Sequence, residues 1–137
     1  MDLYSNTSLH CSRVITGRYS TSFSLGVRMI DRKYRPAIYA IYGFVRLADE
    51  IVDSFHGFDK QKLLDGFKRD TYEAIETGIS TNPVLQSFQW AVNTYGIDRE
   101  LIDAFLKSME MDLTRRQYDE NGLKEYIYGS AEVVGLM

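Results

Sequence analysis

The sequence predicts an all-α fold. Short turn signals divide the chain into stretches whose apolar residues recur with the 3.6-residue period of a helix, and no alternating run between them is long enough to make a strand. Capping acids, an Asn-Pro pair and glycines stand where those stretches begin and end.

A first helix is expected from about Asn6 or Thr7 toward Gly17, and a second segment, Tyr19 to Leu25, leads toward Asp31. Pro36 opens the third helix, because proline at a first helical position loses only an N–H that would lack a partner anyway, and Gly57 marks its far end. Asp59 caps the fourth, which turns Leu63, Leu64, Phe67, Ala74 and Ile75 inward and stops near Gly78. Asn82 followed by Pro83 starts the fifth, with Leu85, Phe88 and Val92 inside and Gly96 at its end. Asp98 caps the sixth, which buries Leu101, Ile102, Phe105 and Met109 and carries Asp112 on the side of Leu101 and Phe105. Asp112 either supports a metal site or pairs with Arg116. The loop from Tyr118 to Gly122 precedes a last helix from Leu123 onward. The run from Ala131 to Met137 has no stop signal other than Gly135, so an apolar surface is expected there that a continuation of the chain or a second copy covers.

At 137 residues the chain has room for one domain at most. Hydrophobic residues at 45% and charged residues at 26% are ordinary for a soluble protein, but ten Tyr and seven Phe supply enough rings to line an apolar cavity. A net charge of −3 without a basic run argues against nucleic acid as a partner. Cys11 is alone and is read as a small buried residue in a reducing compartment, which points to the cytoplasm. No apolar run is long enough to span a bilayer, and the start lacks the basic and apolar regions of a secretory signal. Peripheral contact with a membrane is left open, since exposed apolar loops leave no clear sequence mark.

The third helix carries the most informative pattern. Asp49 and Asp53 are the only two acids four apart in the chain, whereas Asp65, Asp103, Asp112 and Glu120 are each followed four positions later by a base. Like charges one turn apart cost an isolated helix about 0.2–0.5 kcal/mol, which a bound cation would offset. Tyr39, Tyr42, Arg46, Asp49 and Asp53 follow at steps of three and four and share one stripe. Most of the rest of the helix is apolar, so it is expected to be buried with its acidic stripe facing into the protein. Mg²⁺ suits two such carboxylates, because it takes hard oxygen ligands and is commonly held by one or two carboxylates together with phosphates. Mn²⁺ is admitted by the same ligands, and Arg46 is placed to hold a diphosphate oxygen or pair with the acids. The plain alternative is a solvated pair, as most acids at this spacing are. Placement in an apolar segment with Arg46 and two tyrosines in line favours the ligand reading.

Ser20-Thr21-Ser22-Phe23, Ala40-Ile41-Tyr42, Arg46, the stretch from Asp49 to Asp53, and the segment from Tyr126 to Met137 come in an order that resembles squalene and phytoene synthases. The resemblance spans most of the chain. It implies an all-α isoprenoid-synthase helical bundle around a central cavity, in which two acidic motifs on facing helices hold Mg²⁺ and thereby the substrate diphosphates. Asp49 and Asp53 would be the first motif. The second is expected after residue 137, so that 1–137 would be the N-terminal part, about half, of a single domain and inactive alone. The resemblance also implies that Ser22, Phe23, Tyr42 and Arg46 contact substrate, that Tyr126 lies beside the reacting carbons, and that Val134 and Gly135 line the tunnel for the isoprenoid tail.

The implied reaction joins two prenyl diphosphates head to head. The Asp-Glu form of the motif at Asp49-Glu50 resembles phytoene synthases, which take geranylgeranyl diphosphate, more than the squalene type, which takes farnesyl diphosphate and needs a reductant. Tyr126 would polarise the leaving group or accept a proton; filling core space is its structural alternative. A noncatalytic helical scaffold is the reading from another class, against which Arg46 and both acids stand intact. His10 and His56 have no ligand partner at suitable spacing and are given no role.

Overall fold

The structure, a computed structural model, describes residues 2–114. The helix expected from Leu123 and the site residues Tyr126, Val134 and Gly135 lie outside the described residues. Within them all regular structure is helical: α1 (Leu3–Tyr19), α2 (Thr21–Val27), α3 (Arg35–Asp53), α4 (Lys60–Thr77), α5 (Pro83–Tyr95) and α6 (Arg99–Thr114).

Most boundaries follow from local chemistry. Asn82 Oδ1 accepts the amides of Val84 at 3.0 Å and Leu85 at 3.4 Å, fixing the start of α5, and Gly96 ends it in the left-handed region at φ 66°. Asp59 accepts the Lys62 amide at 3.1 Å ahead of α4, and Asp98 accepts the Glu100 amide at 2.9 Å ahead of α6. The first helix departs from expectation at both ends. It begins at Leu3, because Asp2 Oδ1 accepts the Ser5 amide at 2.8 Å, and it runs through Gly17 to Tyr19. Ser20 then closes α1 and opens α2, its Oγ accepting the Phe23 amide at 3.1 Å.

The described residues fall into two compact units, 2–47 with 69–96 and 48–68 with 97–114. In the first, α1 packs on α5 and α2. The buried residues of α1 are Ser8, Ser12 and Thr16, one stripe of small polar side chains. Ser12 Oγ and Ser87 Oγ share a hydrogen bond of 2.7 Å, and Thr16 Oγ1 donates to the Ser12 carbonyl at 2.9 Å. Small side chains let backbones approach: a Cβ on Gly43 would stand 2.7 Å from Ser12 Oγ. Beside this seam Phe44 and Phe88, both fully buried, stack with centroids 3.8 Å apart.

The second unit is built on Ile51, Val52, Leu64, Phe67, Ile102, Phe105, Leu106 and Met109, all buried. Lys60 Nζ donates to the Val52 carbonyl at 2.7 Å, placing a cation at the C-terminus of α3. Three details correct the sequence reading. Leu63 is exposed, since Leu64 and Phe67 take the inward stripe of α4; Leu101 and Cys11 are half-buried. Asp65 accepts from Gln61 Nε2 at 2.9 Å, while Arg69, expected as its partner, reaches Asp70 at 3.6 Å.

Candidate active site

From Arg35 to Val52 no residue of α3 is exposed, in keeping with an apolar helix carrying one polar stripe. Along that stripe Tyr39 is buried and Tyr42, Arg46 and Asp49 are half-buried. Asp53, the last residue of the helix, is exposed. The expectation that both carboxylates point into the protein therefore needs correcting at Asp53, because the helix stops there and the chain turns outward through Ser54, His56 and Gly57.

In the first unit the α1–α2 corner meets the middle of α3. The Phe23 ring stacks on Tyr42 with centroids 4.6 Å apart and planes 22° from parallel. One turn further along α3 the Arg46 guanidinium lies 4.7 Å from the centre of the Tyr19 ring. Phe23, Tyr42 and Arg46 are thus brought together, with Ser22 exposed on the adjoining α2. Tyr19 is the member that sequence reasoning missed. No local pattern marks it, because the contact joins the end of α1 to a residue of α3 far along the chain.

In the second unit Asp53 lines a cavity of about 460 Å³ with His56, Lys60 and Asp112. The structure thereby places Asp112, suspected from its helix face, and His56, given no role, around one cavity with Asp53. Asp49 is not among the lining residues. Among the described residues no three of His, Cys, Asp and Glu lie close enough to hold a metal ion. The chemistry of the donor set nevertheless fits Mg²⁺. Asp49 and Asp53 offer two hard carboxylates one turn apart, and such a cation fills its remaining positions with water and phosphate oxygens.

The squalene/phytoene synthase family model matches residues 16–137. The chain belongs to the squalene/phytoene synthase family. Every site residue expected from the sequence falls within the matched stretch. A presqualene diphosphate synthase of Rhodopseudomonas palustris is 32% identical over 117 residues, covering 84% of this chain and 42% of that protein. A phytoene synthase of Arthrospira platensis is 30% identical over 132 residues, covering 95% and 42%. The chain therefore spans about two-fifths of the length of these relatives. In fold it is similar to a dehydrosqualene synthase, with a TM-score of 0.85 at 23% identity over 97% of this chain and 46% of that one. A squalene synthase from Alicyclobacillus acidocaldarius gives 0.84 at 23% identity, covering 98% and 51%. The fold is that of the isoprenoid synthases, and the chain spans about half of it.

Proposed function

We propose that this family member condenses two prenyl diphosphates head to head, with geranylgeranyl diphosphate as substrate and phytoene as product. The observation that carries the reading is the order of groups at α3: the Phe23–Tyr42 stack, then Arg46 seated on Tyr19, then Asp49 and Asp53. Aromatic faces, a guanidinium and paired carboxylates suit in turn an isoprenoid cation, a diphosphate and a divalent ion. The chain 1–137 is read as the N-terminal part of one synthase domain working in the cytoplasm.

Asp49 and Asp53 would hold Mg²⁺, which when bound stabilises the charge that develops on a departing diphosphate. Arg46 binds diphosphate oxygens through its forked donors, and its position over Tyr19 keeps the guanidinium oriented. The C–O bond of the first substrate breaks to give diphosphate and an allylic cation. The double bond of the second attacks that cation and loses a proton, leaving a cyclopropylcarbinyl diphosphate. Breaking its C–O bond, rearrangement and loss of a second proton give the hydrocarbon and a second diphosphate. The rings of Phe23 and Tyr42 exclude water and offer π faces to the cation without acting as bases. Tyr126, by resemblance, polarises the leaving group or accepts a proton, and Val134 and Gly135 line the tail tunnel.

A second reading is favoured by the relative named presqualene diphosphate synthase: farnesyl diphosphate as substrate, in a squalene-type route. Incubating the full-length protein and Mg²⁺ with each prenyl diphosphate, and identifying products by mass spectrometry, separates the two. Phytoene from geranylgeranyl diphosphate is expected. A cyclopropyl diphosphate from farnesyl diphosphate, without product from the longer substrate, would replace the first reading by the second.

A further inference from the structure

A second site of marked chemistry lies in the first unit at the other end of α3. Arg13, Arg28, Arg32 and Arg35 line one cavity of about 620 Å³ together with His10 and Tyr39. Four of the chain's sixteen basic residues face this space although the net charge is −3, and no Asp or Glu is among its lining residues. Arg35 is committed to shaping the site: its Nε donates to the Ile30 carbonyl at 2.9 Å and its Nη2 to the Arg28 carbonyl at 2.5 Å, drawing the loop before α3 into a fixed curve. Arg13 lies over the Tyr39 ring at 5.7 Å. Among the described residues none of Arg13, Arg28 and Arg32 has an ion pair, and the side chain of Asp31, the one acid in the loop, accepts the Lys33 amide at 3.1 Å. Converging guanidinium groups that the protein leaves unneutralised are suited to an anion with several oxygens, and a phosphate is the natural match.

The loop and the end of α2 before it also carry apolar side chains in water. Met29, between two of the cavity arginines in sequence, is 90% exposed, and Leu25 just before them is 55% exposed. A soluble phosphate would give such side chains nothing to cover. A phospholipid surface supplies both halves, a phosphate headgroup for the arginines and an acyl boundary for Met29 and Leu25. Arg46 stands eleven residues beyond Arg35, about 16 Å along α3 at the helical rise, so this cavity is separate from the guanidinium seated on Tyr19. Arg13 and His10 also precede the stretch that the family model matches.

We infer that the cavity of Arg13, Arg28, Arg32 and Arg35 binds the phosphate headgroup of an anionic phospholipid, with Met29 entering the bilayer boundary, and so holds the protein peripherally on a membrane. The inference does not depend on the catalytic reading.

Cosedimentation of the full-length protein with vesicles of phosphatidylcholine, alone or mixed with phosphatidylglycerol, tests it. Binding is expected only to the mixed vesicles and should weaken as salt rises. Arg28→Gln with Arg32→Gln should bind about 25-fold more weakly, from roughly fivefold per arginine near an anionic surface. Both side chains are exposed, so circular dichroism and melting should match the parent. Met29→Ser, which leaves the charge intact, should also release the protein. Calorimetry with glycerol 3-phosphate, the soluble headgroup fragment, should give far weaker binding than the vesicles. Absence of binding to the mixed vesicles would overturn the proposal, and so would equal sedimentation of the double variant and the parent. Glycerol 3-phosphate binding as tightly as the vesicles would assign the cavity to a soluble phosphate instead.

Discussion

Gly43 sets how close α1 and α3 come in the first unit. A Cβ there would lie 2.8 Å from Ser12 Cβ and 3.2 Å from Ser12 Cα, so relief requires the backbone of α1 to move, not only a flexible side-chain tip. Gly43→Ala should therefore destabilise by about 1–3 kcal/mol despite the better helix propensity of alanine. Gly26→Ala meets nothing within 4 Å and should be neutral or slightly stabilising. Urea denaturation with unchanged slope would check both. Tyr19 supports a second prediction at this scale. Tyr19→Phe keeps the ring under Arg46, whereas Tyr19→Leu removes a cation–π contact worth about 0.5–2 kcal/mol and should weaken prenyl diphosphate binding by a comparable amount in calorimetry. Neither contact was legible in the sequence, because the Gly43–Ser12 approach and the Tyr19–Arg46 contact each join α1 to α3, between residues far apart in the chain. Arg46, Asp49 and Asp53 were legible because all three lie on one helix at steps of three and four.

Helix ends were read well wherever the cap is local. Asn82 with Pro83, Asp59, Asp98, Gly78 and Gly96 all stand where the structure begins or ends a helix. Asn82→Ala should lower stability by about 1 kcal/mol in thermal or urea unfolding, through loss of the acceptor for two amides. Asp2 predicts a pH effect. The Ser5 side chain first, and the Ser5 amide with it, hold the Asp2 carboxyl below the usual aspartate range. A depressed carboxyl contributes stability above its unfolded pKa of about 3.9, and that contribution is lost as pH falls through the lower folded value. Helix content at the start of α1, followed by amide hydrogen exchange, should fall over that acid window, and Asp2→Asn should remove the titration. The first helix was misjudged because its buried stripe is Ser8, Ser12 and Thr16, so a search for apolar periodicity has nothing to detect.

At the scale of the whole chain, the all-α class followed from helical periods and caps, the isoprenoid-synthase fold was implied by the resemblance to squalene and phytoene synthases, and six helices carry them among the described residues. The site was legible only in part. Paired acids announce themselves by spacing, but the grouping of Asp53 with Asp112, Lys60 and His56 around one cavity joins α3, α4 and α6, and no local pattern encodes it. The arginine cavity was missed for the same reason, since its groups come from α1, from the loop after α2 and from the start of α3. The central claim is that Asp49 and Asp53 hold a divalent ion for a prenyl diphosphate. Calorimetry of the full-length protein with a nonhydrolysable geranylgeranyl diphosphate analogue, with and without Mg²⁺, tests it against Asp49→Asn with Asp53→Asn. Mg²⁺-dependent binding in the parent and its loss in the double variant is the predicted result. Binding of equal strength in both proteins, or no Mg²⁺ dependence in the parent, would contradict it.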